Sequence, residues 1–355
     1  MDFNKISATQ AEWLLGKGPN SDIVMSSRIR LARNLKGVPF PQQNSPANNE
    51  KVIDVVFDAL KKTKFFKNGI IARMQDIPDI DKQILFETHL ISKELITHNH
   101  ASAIAISAAQ DLVIMVNEED HLRIQVLKSG FNIDACWELI NKVDSALEKV
   151  LDFAYSPSLG YLTACPTNVG TGMRASVMLH LPGLMLMELI NKVMQAVIKL
   201  GLAVRGFYGE GSEVLGNLFQ ISNQTTLGKS EKEIIANISK VIDLMIEHER
   251  NARAMLNNKS AEKIKDTVGR SYGILCNAHI ISSKETISLL SALRMGMDMG
   301  YITGLDTSAI NELFIQIQPA HLQKISGELL DPGMRDVRRA QLIRERLRQN
   351  NDKQS

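Results

Sequence analysis

Short apolar runs in the first part of this chain mostly follow one another without a helix between each pair. The run at residues 101–116 predicts two strands around a turn near Gln110 and Asp111, and residues 123–127 alternate in the manner of another strand. Parallel strands need a long, usually helical connection between them, whereas antiparallel strands do not. This order therefore predicts an α+β fold, in which an antiparallel sheet is flanked by helices, rather than a doubly wound sheet.

Apolar residues elsewhere recur three and four positions apart, which is typical of amphipathic helices. Ser230 and Glu233 form a capping box that opens a helix reaching about Met255. Residues 155–175 are rich in Gly, Pro, Ser and Thr and predict a structured loop. The other predicted helices span residues 50–65, 80–97, 132–154 and 183–200, the last ending at Gly201.

The character of the sequence changes after about residue 255. Residues 256–355 carry few strand signals and repeat short amphipathic pieces. A chain of 355 residues is long enough for two domains of ~100–200 residues each. We therefore predict an α+β domain over residues 1–255 and an all-helical C-terminal domain over residues 256–355.

Composition excludes several classes of protein. The chain has 41 Lys and Arg against 39 Asp and Glu, and a net charge of +2 argues against a globally basic nucleic-acid binder. Its three cysteines lie far apart without CxxC spacing, which fits the reducing cytosol. The most apolar stretch is interrupted by His180, Pro182 and Glu188 and is shorter than the ~18 residues of a membrane span. We expect a cytoplasmic protein that does not cross a membrane.

Five arginines lie in segments that are otherwise built of small or apolar residues. An unpaired buried charge is very costly, so each of them must meet an anion. A separate salt bridge to Asp or Glu would explain any one of them. Together, in a chain without a phosphate-binding P-loop, they predict a triphosphate held by guanidinium forks. They are Arg28, Arg30, Arg123, Arg174 and Arg205.

Acidic residues and one cysteine lie in loops next to these segments. Glu118, Glu119 and Asp120 follow an apolar strand and predict either a solvated turn or a concentrated negative site that grips a cation and accepts a proton. Glu210 lies in a Gly loop that lets the backbone approach a ligand closely. Cys165 lies among Pro, Thr and Gly, where hydroxyl groups and an arginine could stabilise a thiolate, and an inert buried thiol is the alternative.

Four segments occur in the order and at the spacing of the phosphagen (guanidino) kinases. The segments SSRIR, NEEDH, CPTNVGT and RGFYGEG resemble that family, and the stretches around them resemble its bacterial branch, which phosphorylates arginine in proteins. The resemblance runs from about residue 12 to about residue 348. It implies a guanidino-kinase catalytic domain over residues 1–255, with ATP and Mg²⁺ as cofactors. Because Mg²⁺ would be held mainly by phosphates and water, no protein ligand is assigned to it.

The resemblance also implies roles for individual residues. Glu119 and Glu210 would hold the substrate guanidinium, Cys165 would be the catalytic-loop cysteine, and His89 would lie near the nucleotide base. Since an arginine side chain is protonated in water, a carboxylate has to take a proton before the side chain attacks phosphorus. The residues that the resemblance assigns to ATP are Ser26, Ser27, Arg28, Ile29, Arg30, His89, Arg123, Arg174, Ala175, Ser176, Val177, Met178, Arg205, Gly206, Phe207, Tyr208, Gly209 and Glu210.

Two departures from the kinases of small guanidines indicate a protein substrate. Those kinases carry a helical domain before the SSRIR-like segment, which begins here at Ser26, so we expect an open site that suits an arginine on a protein surface. They also lack the C-terminal part, where an RDxxRA motif would, by resemblance, bind phosphoarginine and regulate activity. A solvated basic helix face is the alternative for this motif. The motif consists of Arg335, Asp336, Val337, Arg338, Arg339 and Ala340.

The leading hypothesis is an ATP-dependent kinase of protein arginine. A kinase of free arginine or another small guanidine is one alternative, and a catalytically inactive phosphoarginine-binding module is another. Nucleic-acid binding by the arginine-rich tail is a further reading, which we do not favour. The resemblance implies protein substrates that include a CtsR-like repressor, an McsA-like activator, and a Clp protease that degrades the marked proteins in bacterial quality control. We also expect a homo-oligomer, because the helical part has apolar faces to bury.

Overall fold

An antiparallel sheet of eight strands forms the centre of the fold. The computed structural model describes residues 11–97, 100–206 and 215–352, with side chains up to residue 348. The strands of the sheet are β1 (Val24–Arg33), β2 (Ile70–Arg73), β3 (Ala103–Ile106), β4 (Leu112–Val116), β5 (Leu122–Ser129), β8 (Met173–His180), β9 (Leu202–Gly206) and β10 (Leu218–Asn223), while β6 (Tyr155–Ser156) and β7 (Gly160–Tyr161) form a separate hairpin. Their order across the sheet is β2-β3-β4-β5-β1-β8-β10-β9, and every pairing is antiparallel, which confirms the predicted α+β fold.

Helices flank the sheet and make up the C-terminal region. None of the described helices is long and apolar enough to cross a membrane. In chain order they are α1 (Pro46–Lys61), α2 (Asp79–Glu87), α3 (Lys93–Thr97), α4 (Ile133–Glu148), α5 (Pro182–Leu186), α6 (Ile190–Lys199), α7 (Glu231–Asn277), α8 (Ser283–Asp298), α9 (Thr307–Gln316), α10 (Pro319–Ser326) and α11 (Pro332–Asp352).

Two of the local predictions that rest on short-range signals are confirmed. Gln110 adopts a left-handed conformation, with φ of 55°, in the turn that joins β3 to β4. At the start of α7, the Glu233 N–H donates to Ser230 Oγ at 3.3 Å and the Ser230 N–H donates to Glu233 Oε2 at 2.7 Å. This reciprocal pair satisfies two N–H groups that the first turn of a helix otherwise leaves unpaired.

Two predicted helices are each broken in the middle. The helix predicted over residues 80–97 is interrupted at His89, whose φ is 60°, so that α2 and α3 are separate. The apolar helix predicted over residues 183–200 is interrupted in the same way at Glu188, whose φ is 58°. A residue in the left-handed region ends an α-helix. The spacing of apolar residues continues across both breaks, so periodicity alone does not show them.

The strands supply two faces of different character. In β1, Ile29 and Leu31 point into a large apolar core that is shared with α1, α4 and the first part of α7. Arg28 precedes Ile29, and Arg30 lies between Ile29 and Leu31. Both arginines point to the opposite face. Because successive side chains on a strand point in opposite directions, one strand contributes both to the core and to a cleft.

The C-terminal helices pack against part of that opposite face. Met25, Leu127 and Met178 of the sheet join a second apolar cluster with residues of α8, α9 and α11. Helix α7 runs through residue 255 and departs from helical geometry at Ser260, where φ is −147° and ψ is 30°. A domain boundary near residue 255 would therefore fall inside a helix, and its position stays a prediction.

A carboxylate joins the C-terminal helices to the sheet region. Glu87, at the end of α2, accepts hydrogen bonds from the N–H groups of Ala320 at 2.8 Å and His321 at 3.1 Å, and its Oε2 lies 2.7 Å from His321 Nδ1. Nearby, Lys324 Nζ lies 2.9 Å from Asp81 Oδ1. A negative charge at a helix N-terminus is stabilising because unpaired N–H groups and the helix dipole both favour it. Glu87, which lies two residues before His89, thus holds the start of α10 in place.

The substitution Glu87→Gln tests this contact. It removes a nearly buried charge from the start of α10, so we expect the free energy of unfolding to fall by about 1–2 kcal/mol, measured by urea denaturation. Asp58→Asn is the control, because that carboxylate is exposed and pairs with Lys61 on the surface of α1, and we expect no measurable change. Equal urea midpoints for Glu87→Gln and the wild type would contradict the assignment.

Candidate active site

A cleft of about 730 Å³ opens on the face of the sheet opposite the large apolar core. Strands β1, β5, β8, β9 and β10 each contribute side chains to it. The segment around His89, together with residues of α3, forms one wall. Every second side chain of the central strands therefore lines the same cleft.

All five arginines that the sequence analysis singled out line this cleft. Strand register explains how they meet, since Arg30 on β1 lies opposite Arg174 on β8. Arg205 on β9 lies opposite Gln220 on β10, and Gln220 in turn accepts a hydrogen bond from Arg28. The pairing of strands that are distant in the sequence thus holds cationic groups close together despite their mutual repulsion.

The repulsion is visible in Arg28 and Arg30. Arg28 donates to two neutral groups, Gln220 Oε1 at 2.6 Å and Ser176 Oγ at 3.4 Å. Burial lowers the pKa of Arg28 to about 10, with a further contribution from neighbouring arginines. Burial and the charges of neighbouring arginines also lower the pKa of Arg30. Among the described residues, the Nε of Arg30 has no hydrogen-bond partner. Within this part of the chain, separate salt bridges do not account for Arg28 and Arg30.

Arg123 differs from these two because it has a carboxylate partner. Its Nη1 donates to Glu118, which also accepts a hydrogen bond from Ser92 Oγ at 2.5 Å. Burial is the largest single influence and would raise the pKa of Glu118, but the charge of Arg123 and the hydrogen bonds from Arg123, Ser92 and the Glu119 N–H together hold it at about 2. The cleft therefore keeps an excess of positive charge, which suits an anion with several charges, such as a triphosphate.

His89 forms part of the cleft wall in its left-handed conformation. Gln125 Nε2 donates to the His89 carbonyl at 2.9 Å, and the Trp13 ring meets the imidazole edge-on with centroids 5.7 Å apart. Burial lowers the pKa of His89 to about 3, and the charge of Arg28 adds to the effect, so the ring is neutral. Sequence reasoning missed Gln125 and Trp13, because neither lies in a motif.

The three consecutive acids point to three different places. Glu118 pairs with Arg123, Asp120 is buried against the loop that carries Cys165, and Glu119 lines the cleft. Burial raises the pKa of Glu119, and the charges of Asp120 and Glu118 raise it further. The predicted concentrated negative site is therefore a single carboxylate, that of Glu119, with an increased affinity for a proton.

The structure brings Cys165 and Glu119 together. The Cys165 thiol is close enough to the Glu119 carboxylate to oppose the rise in its pKa, and Cys165 Sγ also lies 3.0 Å from Thr167 Oγ1. Cys165 is partly exposed and immediately precedes a short 3₁₀ turn over Pro166–Asn168. Cys136, by contrast, is buried in the core, and burial raises the pKa of its thiol. The thiol next to the cleft is thus the one that the sequence placed in a polar loop.

The other residues assigned to ATP fall into three groups. Three have side chains in the cleft, namely Ser26, Ser176 and Met178. The side chains of four others face away from the cleft. Ser27 Oγ donates to the Gly130 carbonyl at 2.9 Å, and the side chains of Ile29, Ala175 and Val177 lie in the large apolar core. These four can approach a nucleotide only through their backbones. Gly206 ends β9, and outside the described residues lie Phe207, Tyr208, Gly209 and Glu210.

Comparison with known proteins identifies the family. The family described as ATP:guanido phosphotransferase, C-terminal catalytic domain, matches residues 51–252, and the protein-arginine kinase McsB C-terminal domain matches residues 261–355. The protein-arginine kinase of Halothermothrix orenii is 48% identical over 342 residues, which cover 96% of this chain and 98% of the relative. The protein-arginine kinase of Bacillus subtilis is 47% identical over 339 residues, which cover 95% of this chain and 93% of that relative. The chain belongs to the protein-arginine kinase family.

Solved structures of guanidino kinases share the fold of this family member. A duplicated taurocyamine kinase from Schistosoma mansoni, with bound transition-state-analogue components, has a TM-score of 0.61 and 28% identity, over 71% of this chain and 35% of that chain. Lombricine kinase has a TM-score of 0.60 and 25% identity, over 69% of this chain and 73% of that chain. The protein is therefore an enzyme, a phosphotransferase with a guanidino-kinase catalytic domain, and its family implies the use of ATP.

The RDxxRA motif lies in the first turns of α11, and two of its residues are used internally. Arg339 is buried and donates from Nε to the Ile317 carbonyl at 2.9 Å and from Nη1 to the Ile281 carbonyl at 3.0 Å. It also pairs with Asp336, so these two residues hold neighbouring helices together. Arg335, at the start of the motif, donates from Nη1 to the Leu330 carbonyl at 3.1 Å. Ala340 is buried in the C-terminal core.

The Glu118–Arg123 pair predicts a pH dependence of stability. Because the folded pKa of Glu118 is about 2, below its ordinary 4.5, the pair stabilises the fold fully above that ordinary value and loses its effect as the pH falls towards 2. We expect Glu118→Gln to lower the free energy of unfolding by roughly 3 kcal/mol at neutral pH, with the difference from the wild type shrinking in acid. Urea denaturation at several pH values measures this.

The exposed Glu138 on α4 provides the control for that series. Glu138→Gln should show no comparable difference at any pH, because an exposed carboxylate in solvent contributes little. A Glu118→Gln difference that stays constant from neutral pH into acid would contradict the assigned ion pair.

Proposed function

We propose that this enzyme transfers the γ-phosphoryl group of ATP to arginine side chains in proteins. The observation that carries the proposal is the arginine-lined face of the cleft with the Glu119–Cys165 pair at its edge. The arginines suit a polyanion, and the carboxylate suits a cationic acceptor. A site with both kinds of charge side by side can hold the two reactants of one phosphoryl transfer, which depends mainly on positioning and charge neutralisation.

The arginines would hold the phosphates of ATP. Arg28 and Arg30 lie on the same rigid strand, and their guanidinium groups would meet the charge that develops on the departing ADP. Mg²⁺ would neutralise further phosphate charge. Among residues 11–97, 100–206 and 215–352, no group of three or more His, Cys, Asp and Glu side chains is placed to hold a metal ion. We therefore propose that phosphates and water supply most of the ligands of Mg²⁺.

Glu119 would orient the acceptor and take its proton. A guanidinium group is protonated at neutral pH and has no free lone pair to attack phosphorus. Transfer of one proton from the acceptor nitrogen to Glu119, whose pKa is raised by burial, provides the lone pair. The nitrogen–phosphorus bond then forms as the bond between the γ-phosphorus and the ADP oxygen breaks. Glu210 is proposed as the second carboxylate, and Cys165 as the group that aligns the guanidinium.

Two observations favour a protein as the acceptor over free arginine. The C-terminal region matches the C-terminal domain of protein-arginine kinases over residues 261–355. The relatives that carry the name protein-arginine kinase also align along nearly the whole chain. A kinase of a small guanidine remains the competing hypothesis, and the labelling experiment below separates the two.

Phosphoamino-acid mapping tests the proposed reaction. Incubation with Mg-ATP and a denatured protein substrate should give acid-labile phosphate on arginine. Acid-stable phosphate on Ser, Thr or Tyr alone, or no transfer at all, would sink the proposal. Turnover of free arginine without labelling of protein would support the kinase of a small guanidine instead.

Replacement of the thiol next to Glu119 tests the role of Cys165. We expect Cys165→Ala to lower kcat by at least ~10-fold, because the guanidinium loses an aligning group next to Glu119. Cys276→Ala is the matched control, since Cys276 is also partly exposed but lies on α7, and its kcat should stay at the wild-type value. Wild-type activity in Cys165→Ala would remove the assigned role.

The biological setting is also a proposal. We propose that the marked proteins are degraded by a Clp protease in the bacterial cytoplasm, that a CtsR-like repressor is one substrate, and that an McsA-like activator is a partner. The RDxxRA motif would bind phosphoarginine through Arg335 and Arg338, whose side chains are partly exposed. Support for an oligomer comes from exposed apolar residues in and near the motif, since Leu329 is 86% and Val337 48% exposed. Calorimetric titration with phosphoarginine, and light scattering of the purified chain, would test the last two points.

A further inference from the structure

The loops that carry Glu119 and Cys165 are tied together by the residues next to them in the sequence. Asp120 follows Glu119, and Ala164 precedes Cys165. The Ala164 N–H donates to Asp120 Oδ1 at 2.7 Å. This bond joins two loops that are 44 positions apart in the chain. It lies one residue from each of the groups that would meet the acceptor.

Asn34, directly after β1, completes the connection. Its Nδ2 donates to Asp120 Oδ1 at 2.6 Å and to the Leu162 carbonyl at 3.0 Å, and its Oδ1 accepts from the His121 N–H at 2.9 Å. Asn34 is 1% exposed and Asp120 is 3% exposed. One buried amide therefore joins both loops to the end of the strand that carries Arg28 and Arg30.

We propose that Asn34 and Asp120 form a loop clamp, a pair of positioning residues that sets the separation between Glu119 and Cys165 and holds both in register with the arginine face. The inference rests on the proposed function for its meaning in catalysis. Neither residue of the loop clamp lines the cleft. The two residues therefore act through Glu119 and Cys165 and have no contact with the reactants.

The loop clamp has the properties of a positioning device. Buried hydrogen bonds are expensive to leave unmade, so the four bonds hold the loops firmly once the core has formed. Burial raises the pKa of Asp120, while the Ala164 N–H and the Asn34 amide favour its ionised form. An ionised acceptor makes shorter and stronger bonds than a neutral one. The result is a fixed spacing between a carboxylate and a thiol that belong to different loops.

The test uses Asp120→Asn and Asn34→Ala. A shift of ~1 Å in a reacting group can cost about 100-fold in rate, so we expect kcat to fall by ~10–100-fold while KM for ATP changes by less than ~2-fold. The second readout is the rate at which iodoacetamide alkylates Cys165, followed by mass spectrometry of its peptide. We expect faster alkylation, because Sγ is no longer held against Glu119.

Asn311→Ala is the matched control for a purely structural role. Asn311 is also 1% exposed, and it donates to the Leu14 carbonyl at 3.1 Å and accepts from Arg294, so these bonds involve neither loop. The Asn311→Ala variant should be less stable than the wild type but should keep the wild-type kcat and Cys165 alkylation rate. Wild-type kcat in both loop-clamp variants would overturn the proposal. Losses of kcat no larger than in Asn311→Ala, at equal stability and with unchanged alkylation, would also overturn it.

The two readouts separate the loop clamp from the proposed function. If the wild type transferred no phosphate to arginine, the proposed function would fail. The alkylation rates would still show whether Asn34 and Asp120 hold Cys165 against Glu119. An unchanged rate in both variants would then refute the loop clamp independently.

Discussion

Mutual repulsion among the arginines on one face of the sheet is the constraint on which the site depends. Arg28 and Arg30 are held in the central strand, with neighbours of the same charge on β5, β8 and β9. Such an arrangement persists only because the large apolar core on the opposite face, and the hydrogen bonds of the sheet, stabilise the strands that carry it. A bound polyanion relieves the repulsion. The site is thus prepared for its ligand before the ligand arrives, which is the condition for effective electrostatic stabilisation.

The acidic run illustrates how neighbouring residues acquire separate tasks. Glu118 lines the cleft but is neutralised by Arg123, Asp120 accepts a hydrogen bond from the loop that carries Cys165, and Glu119 lines the cleft with a raised pKa. Asn117 makes this divergence possible because its left-handed backbone, with φ of 55°, redirects the chain at the end of β4. Carboxylates in three environments have three different proton affinities, and only one of them combines a raised pKa with access to the cleft.

Local signals carried much of the prediction. The antiparallel order, the turn at Gln110 and the capping box at Ser230 each depend on residues close together in the sequence, and all three are confirmed. The breaks at His89 and Glu188 were not predictable, because apolar periodicity continues across them and the left-handed conformation is imposed by surrounding contacts.

Long-range partners explain what else was missed at the site. Asn34, Gln125 and Trp13 are single residues whose roles depend on loops and strands far away in the chain. A motif identifies the residues that touch a ligand more readily than the residues that hold them. Arg339 shows the converse, because a residue within a recognisable motif is largely used to join helices.

Charged and apolar side chains alternate along β1, with Arg28 and Arg30 towards the cleft and Ile29 and Leu31 towards the core. A slip of one residue against either neighbouring strand would turn both guanidinium groups into the apolar core. Burial of an unpaired charge there costs several kcal/mol, so a misaligned sheet would be far less stable than the native one. The residues that serve the ligand therefore also enforce the alignment of the central strand during folding, and apolar replacements would remove that safeguard together with the site.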